Sequence, residues 1–266
     1  MGFNKPQEIA EMSINAGVQK AKLPLSIMLI LGFLGGAFIS LGFLLDIRVI
    51  GNLPVEWGSL SSFLGAAVFP LGLILIVIAG GELITGNIMT VAMAFFSKKV
   101  TIKELLNNWF WITLANLIGA LFVAYFFGHV VGLTETGPFM DKTIAIAQAK
   151  VNDSFFQTII SAIGCNWLVC LAIWIAFAAN DVVGKIFGIW FPIMAFVAIG
   201  FQHVVANMFV IPAAIFANAL SWGDFIQNII PTFIGNVIGG AVFVGLAYFV
   251  SYSKPKLKTQ KLKKVS

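Results

Sequence analysis

Apolar residues along the chain stand in long unbroken blocks, and the polar residues gather in short stretches between them. The blocks cover about 24–45, 62–97, 105–129, 155–179, 184–219 and 227–252. Each is long enough, at about 1.5 Å rise per residue, to cross a hydrocarbon layer about 30 Å thick as a helix. The second and fifth exceed one straight crossing and hold Gly and polar residues near their middles, so each predicts an interrupted helix. The start of the chain differs. There Ile9, Met12, Ile14, Ala16 and Val18 alternate with Glu and Lys, a pattern for an amphipathic helix lying on the membrane surface, without the apolar core of a signal peptide. The expected organisation is a surface helix over 1–23, a six-span body over 24–252 and a basic tail over 253–266.

Composition agrees with this pattern and charge orients it. With 59% hydrophobic and 10% charged residues among 266, the chain lacks the polar surface a soluble domain of this length needs, so the fold class is an all-α membrane protein with six transmembrane helices. Of the 16 Lys and Arg, all but Arg48, Lys142 and Lys150 fall on one side if both termini share that side. The positive-inside rule then places both termini in the cytoplasm and the chain in the cytoplasmic (inner) membrane. The tail from Lys254 to Lys264 reads as retention charge on that face and not as a nucleic-acid site, being short and unaccompanied. Cys165 and Cys170, the only cysteines, share one apolar block and read as packing residues, neither a disulfide framework nor a metal site.

The chain also repeats itself at an offset of 120 residues. Gly80-Gly81-Glu82-Leu83-Ile84-Thr85-Gly86-Asn87-Ile88 aligns with Gly200-Phe201-Gln202-His203-Val204-Val205-Ala206-Asn207-Met208, and Asn116 and Gly119 align with Asn236 and Gly239. Each repeat (about 24–130 and 144–252) holds three spans, an odd number, so the second is inverted and the interrupted helices meet across a pseudo-two-fold axis in the membrane plane. Broken backbone at that depth is tolerable only where it is buried in protein or lines a water-filled path. The N-termini of half-helices carry partial positive charge, which favours an anion there.

Two ionisable residues, Glu82 and His203, fall on the repeated breaks, and ionisable groups at membrane depth are functional candidates by default. For Glu82 the favoured reading is a carboxylate that holds the break by accepting bonds from loop amides; its repeat partner is the neutral Gln202, and a bare carboxylate in a pore repels anions. His203 has three readings: a proton donor to a weak-acid anion, a hydrogen-bond donor, or a neutral bridge between the breaks. Thr85, on the opposite break, is placed to orient the imidazole. Asn87, Asn116, Asn166, Asn207 and Asn236 read as amides tying broken helices to their neighbours. His129 ends the third block and is expected near the outer interface. Phe69, Leu73, Leu83 and Phe196 are candidate apolar constrictions.

The stretch Gly200–Pro212 resembles the second signature of the formate/nitrite transporter family. Gly80–Asn87 resembles its first break, and Cys165-Asn166-Trp167-Leu168-Val169-Cys170 resembles its fourth span, the likeness covering about residues 5–252. The resemblance implies an aquaporin-like protomer, a homopentamer with one pore per protomer, and passage of formate, nitrite, hydrosulfide or short monocarboxylates across the lipid bilayer. It implies that His203 is the central pore histidine, that Thr85 is its partner and that Asn166 lines the pore nearby. Leu73 and Phe196, with Phe69 beside them, would form the cytoplasmic constriction, and Leu83 with Val169 the outer one. Lys150 and Lys20 would draw anions inward. Two positions depart from the pattern: Gln202 stands where an acidic residue is common, and Ile84 where a bulky aromatic follows the first-break leucine. Formate is the first choice of anion, with nitrite and hydrosulfide as alternatives.

Other classes fit less well. An aquaporin-type neutral-solute channel is expected to carry paired Asn-Pro-Ala triplets, whereas the break asparagines here stand in Gly86-Asn87-Ile88 and Ala206-Asn207-Met208. An enzyme needs a nucleophile or metal cluster in the spans, and one His, one Glu and two Cys without ligand spacing do not supply it. No phosphate-cradling Gly-rich loop is present, and no cofactor is implied.

Overall fold

The structure, a computed structural model, describes residues 2–253. The basic tail expected over 253–266 lies, beyond Ser253, outside the described residues. The helices run α1 (Pro6–Ala21), α2 (Leu25–Ile50), α3 (Ser59–Val68), α4 (Leu71–Ile74), α5 (Ile84–Phe96), α6 (Ile102–Phe122), α7 (Pro138–Val151), α8 (Phe155–Ala178), α9 (Val182–Ile199), α10 (Val204–Phe216) and α11 (Trp222–Val237). Wider turns carry α4, α6 and α11 onward, so among the described residues six helices are long and apolar enough to cross a bilayer: Leu25–Ile50, Ser59–Gly80, Ile102–Val130, Phe155–Ala178, Val182–Ile199 and Trp222–Ser253.

The two long blocks are interrupted where the glycines and polar residues stand. The first half-helices end at Gly80 (φ 105°) and Gly200 (φ 87°), left-handed conformations that glycine adopts without strain. Extended backbone follows, and α5 and α10 then start at Ile84 and Val204. The next spans, α6 and α11, begin on capping boxes: Thr101 with Glu104 for α6 and Ser221 with Asp224 for α11. Every one of these landmarks recurs at the offset of 120, which makes the repeat a structural one, inverted by its odd number of crossings.

Close packing follows small residues. A Cβ on Gly119 would run into the carbonyl of Phe33 on α2, and a Cβ on Gly239 into that of Ile163 on α8, so α6 and α11 each lie backbone-to-backbone on their partner helix.

Two features differ from the sequence reading. Helix α1 does not lie on lipid with its apolar face: Ile9, Ala10 and Ile14 are buried in the protein, and Ser13 donates to Met93 Sδ of α5 at 3.3 Å. Helix α7 was not anticipated in the connection between the third and fourth spans. It is the repeat partner of α1. Asn108 donates to the carbonyl of Lys20 at 2.9 Å, and its counterpart Asn228 donates to the carbonyl of Lys150 at 2.7 Å. Each repeat is therefore a surface helix, a span, a broken span and a span.

Candidate functional site

The two breaks are held by the same set of amides. Asn116 accepts from the N–H of Ile84 at 2.9 Å and donates to the carbonyls of Gly32 and Glu82 at 2.7 and 2.8 Å. Asn236 accepts from Val204 N–H at 2.9 Å and donates to Ala162 and Gln202 at 2.8 and 3.1 Å. Asn87 donates to Glu82 and Asn108 at 2.7 and 3.1 Å, as Asn207 does to Gln202 and Asn228 at 2.7 Å each. Backbone groups that extended chain would leave bare at this depth are thereby paired.

Glu82 is not held by loop amides as expected. Its Oε1 accepts from Lys20 Nζ at 2.6 Å and its Oε2 from Asn87. The ion pair follows from α1 packing across the break, which brings an ammonium within reach of the buried carboxylate. Lys20, expected to draw anions, has its charge committed to this partner. Lys185, on the same mouth, has no carboxylate partner within salt-bridge distance among the described residues.

His203 caps α10. Its Nδ1 accepts from the N–H of Ala206 at 3.1 Å, and Nε2 lies 3.1 Å from Thr85 Oγ1 across the pseudo-axis. An accepting Nδ1 places the ring proton on Nε2, so a neutral imidazole donates to the threonine hydroxyl. Above the ring, Phe196 stacks at 5.6 Å and itself packs edge-on against Phe69 at 5.6 Å. Asn166 is fully buried, its amide donating to the carbonyls of Thr85 and Asn236 at 3.3 and 2.7 Å. It thereby fixes the Thr85 backbone, and its side-chain N–H groups are occupied by protein. Val169 is buried one turn further along α8.

Two mouths open towards this centre. One, of about 380 Å³, is lined by Leu73, Leu83, Gly86, Glu82, Lys20 and Lys185 among others; the second, of about 320 Å³, by Phe69, Phe196, His203, Asp46, Lys142 and Lys150 among others. Between them Phe69, Leu73, Leu83, Phe196 and His203 are all nearly inaccessible, so the route is shut by apolar side chains and one imidazole.

The constriction residues are grouped differently from the expectation. Leu83 stands with Lys20 and Lys185 at the mouth that bears α1, and Phe69 and Phe196 stand with Lys142 and Lys150 at the opposite one. The resemblance had grouped Leu73 with Phe196 and Phe69, and Leu83 apart from them. Which mouth a side chain faces is set by how each half-helix is rotated, which the sequence does not display. Leu73 does lie at the α1 mouth.

Lys150 caps the C-terminal end of α9, its Nζ donating to the carbonyls of Gly200 and Phe201 at 2.8 and 2.9 Å. Burial lowers its pKa below the ordinary lysine range, against the pull of Cys165, Asp153 and Asp46. His129 pairs with Glu135 at 2.6 Å at the end of the third span. Sequence reasoning missed Asp46, because it ended the first span before reaching it; α2 continues to Ile50 and carries Asp46 into the second mouth.

Inverted repeats, two broken helices and a shut apolar route between cation-bearing mouths define a membrane channel or transporter. The chain matches the model of the family described as "Formate/nitrite transporter" over residues 7–250, and it belongs to that family. It is 71% identical over 266 residues to the transporter YrhG of Bacillus subtilis, all of each chain being covered. It is 65% identical over 254 residues to the formate channel BtFdhC of Bacillus thuringiensis, covering 96% of this chain and 98% of that one. Among solved structures it resembles a pentameric formate channel with formate bound, at a TM-score of 0.77 and 32% identity, covering 86% of this chain and 97% of that one.

Proposed function

We propose that this chain passes formate across the cytoplasmic membrane, one pore to each protomer of a homopentamer, with both termini in the cytoplasm. The α1 mouth with Lys20 and Lys185 is then cytoplasmic. Phe69 and Phe196 close the outer constriction and Leu73, Leu83 and Val169 the inner one. The observation that carries this reading is the neutral His203, pinned by Ala206 N–H and aimed through Nε2–H at Thr85, midway between two cation-bearing mouths. Formate is favoured by the likeness to the formate channel at 65% identity and to the pentameric formate channel with formate bound. Exposed apolar side chains such as Phe110, Ile118, Phe156 and Phe191 fit contact with lipid and neighbouring protomers.

A desolvated anion takes the Nε2–H in place of the Thr85 hydroxyl. The imidazole has one proton to offer. Surrendering it requires a second proton at Nδ1 first, and that breaks the bond from Ala206 N–H. His203 therefore acts as a hydrogen-bond donor to the anion, and any proton that travels along enters from the mouths.

The test is radiolabelled formate uptake into proteoliposomes, with nitrite and hydrosulfide in parallel. Formate is expected to lead, and His203→Ala to lower its flux about tenfold to a hundredfold, the worth of one hydrogen bond to a charged group. A native chain that passes none of the three anions overturns the reading; one that passes nitrite or hydrosulfide best overturns the choice of formate.

A further inference from the structure

Among the described residues, Asp46 is the one acid lining the mouth that also holds Lys142, Lys150 and His203. It is 4% exposed, and its Oδ1 has no hydrogen-bond partner. Helix α3 packs against it through Gly65, where a Cβ would run into Oδ1, so the local backbone makes room for this carboxyl without giving it a donor. Phe43, Asp46 and Ile50 form one stripe of α2 along the cavity wall.

The charges that face it come from few elements. Helix α7 supplies Lys142 and Lys150, and the head of α10 supplies His203. On α2 itself Arg48 is turned away, its guanidinium 3.5 Å over the Phe139 ring and donating to the carbonyl of Leu133. From α3 the cavity receives Ser62, and no charged side chain of α3, α4 or α6 lines it. Lys150 is already committed to the carbonyls of Gly200 and Phe201, and among the described residues neither lysine stands within salt-bridge distance of Asp46. Burial without a donor favours the neutral form of a carboxyl, and nearby ammonium groups favour the charged form. A group held between such opposed influences exchanges its proton with the water in the mouth.

We infer that Asp46 is a proton-binding group that sets the charge of the outer mouth and so governs anion capture there. Neutral, it leaves the two lysines to attract the anion; ionised, it cancels one of them and repels the anion. Entry from this side then rises as the pH outside falls, independently of His203. This rests on the proposed anion passage.

The experiment compares formate uptake by the native full-length chain and by Asp46→Asn in oriented proteoliposomes, across the outer pH. The readout is the ratio of the variant to the native rate. A ratio near one in acid that climbs about threefold to tenfold towards alkaline pH, the effect of removing one charge from a cavity of low dielectric, is the expected result. A ratio independent of pH overturns the inference, whatever its value. Infrared titration of the native chain and of Asp46→Glu is independent of flux: a titrating carboxylic C=O band that moves in the variant supports the assignment, and a native chain without that titrating band refutes it. A native chain that passes no formate but shows the titrating band refutes the functional reading and leaves the proton site standing.

Discussion

Replacing Asn236 by Ala removes the clamp of the second break and should cost about as much as replacing Asn116, the clamp of the first. Each side chain makes three buried bonds between 2.7 and 3.1 Å. Truncation leaves the first N–H of α10, that of Val204, bare at membrane depth; a stranded donor costs about 1–3 kcal/mol, and each of the two lost neutral bonds to a carbonyl about 0.5–1.5 kcal/mol. The sum is about 2–6 kcal/mol. At roughly 2–4 °C per kcal/mol, the unfolding midpoint of the detergent-solubilised protein, followed by Trp fluorescence, should drop by about 5–20 °C in both variants. Flux should fall more in Asn236→Ala, because that break carries His203. Asn236→Asp keeps the acceptor for Val204 N–H but turns two donors into a lone pair facing carbonyls, so it should rescue neither stability nor flux. A drop under about 2 °C in either variant, or a large one in only one of them, would refute the view that the two breaks are held by equivalent clamps.

Two further outcomes follow from the charges flanking the breaks. The second repeat already works with a neutral Gln202 where the first has Glu82, so Glu82→Gln should be mild, Lys20→Met harsher because it strands a carboxylate whose side chain is 8% exposed, and the double variant no worse than Glu82→Gln. The coupling in a thermal double-mutant cycle should be about 1–2 kcal/mol; additive effects would mean that the 2.6 Å contact does not matter energetically. Lys150, with its pKa lowered by burial, sheds its proton at lower pH than an ordinary lysine. Its attraction for anions is therefore complete on the acid side and declines as pH rises into the range below that of free lysine. Lys150→Arg should keep entry from that mouth constant across this window, since guanidinium stays charged, and Lys150→Gln should be slow throughout; native and Arg profiles that superimpose would remove Lys150 from the attraction.

How legible was this molecule in its sequence? The bilayer forces every spanning backbone group into a helix, so the six blocks and the two glycine-bearing interruptions were readable as lengths and breaks. The clamp asparagines were readable as a repeat, though not as partners of Ile84 N–H and Val204 N–H. Helix α7 escaped because it is short and mixed in character; its signals were the Ser154 capping box that follows it and the equivalence of Lys150 with Lys20, whose carbonyls lie far in sequence from Asn228 and Asn108 but one bond from them in space. Asp46 escaped because a carboxyl followed closely by Arg48 looks like the end of a span, whereas α2 runs on to Ile50 inside protein rather than lipid. The sides of the constrictions depend on helix rotation about axes that no pattern of apolar residues fixes when nearly every position is apolar.

Where the two repeats differ is as informative as where they agree. Gly80 and Gly200, Asn87 and Asn207, Asn108 and Asn228, Asn116 and Asn236, and Gly119 and Gly239 match because the same broken-helix backbone needs the same donors, acceptors and clearances twice. Three mismatches bear on the centre, Glu82 against Gln202, Leu83 against His203 and Thr85 against Val205, all within the extended residues and the first turn after each break. Asn166 on α8 is a fourth: the equivalent place on α2 is Gly36, where any Cβ would meet the carbonyl of Asn116, whereas Asn166 reaches the matching carbonyl of Asn236 by a 2.7 Å bond and also touches that of Thr85. A symmetric pair of leucines would give a dry plug, and a symmetric pair of histidines two polar rings facing each other without a hydroxyl to orient either. One imidazole, one threonine and one asparagine that anchors the threonine backbone place a single oriented N–H between two apolar closures. An anion without its water needs that one donor, and the inverted scaffold becomes a pore for it only through the few positions at which its symmetry fails.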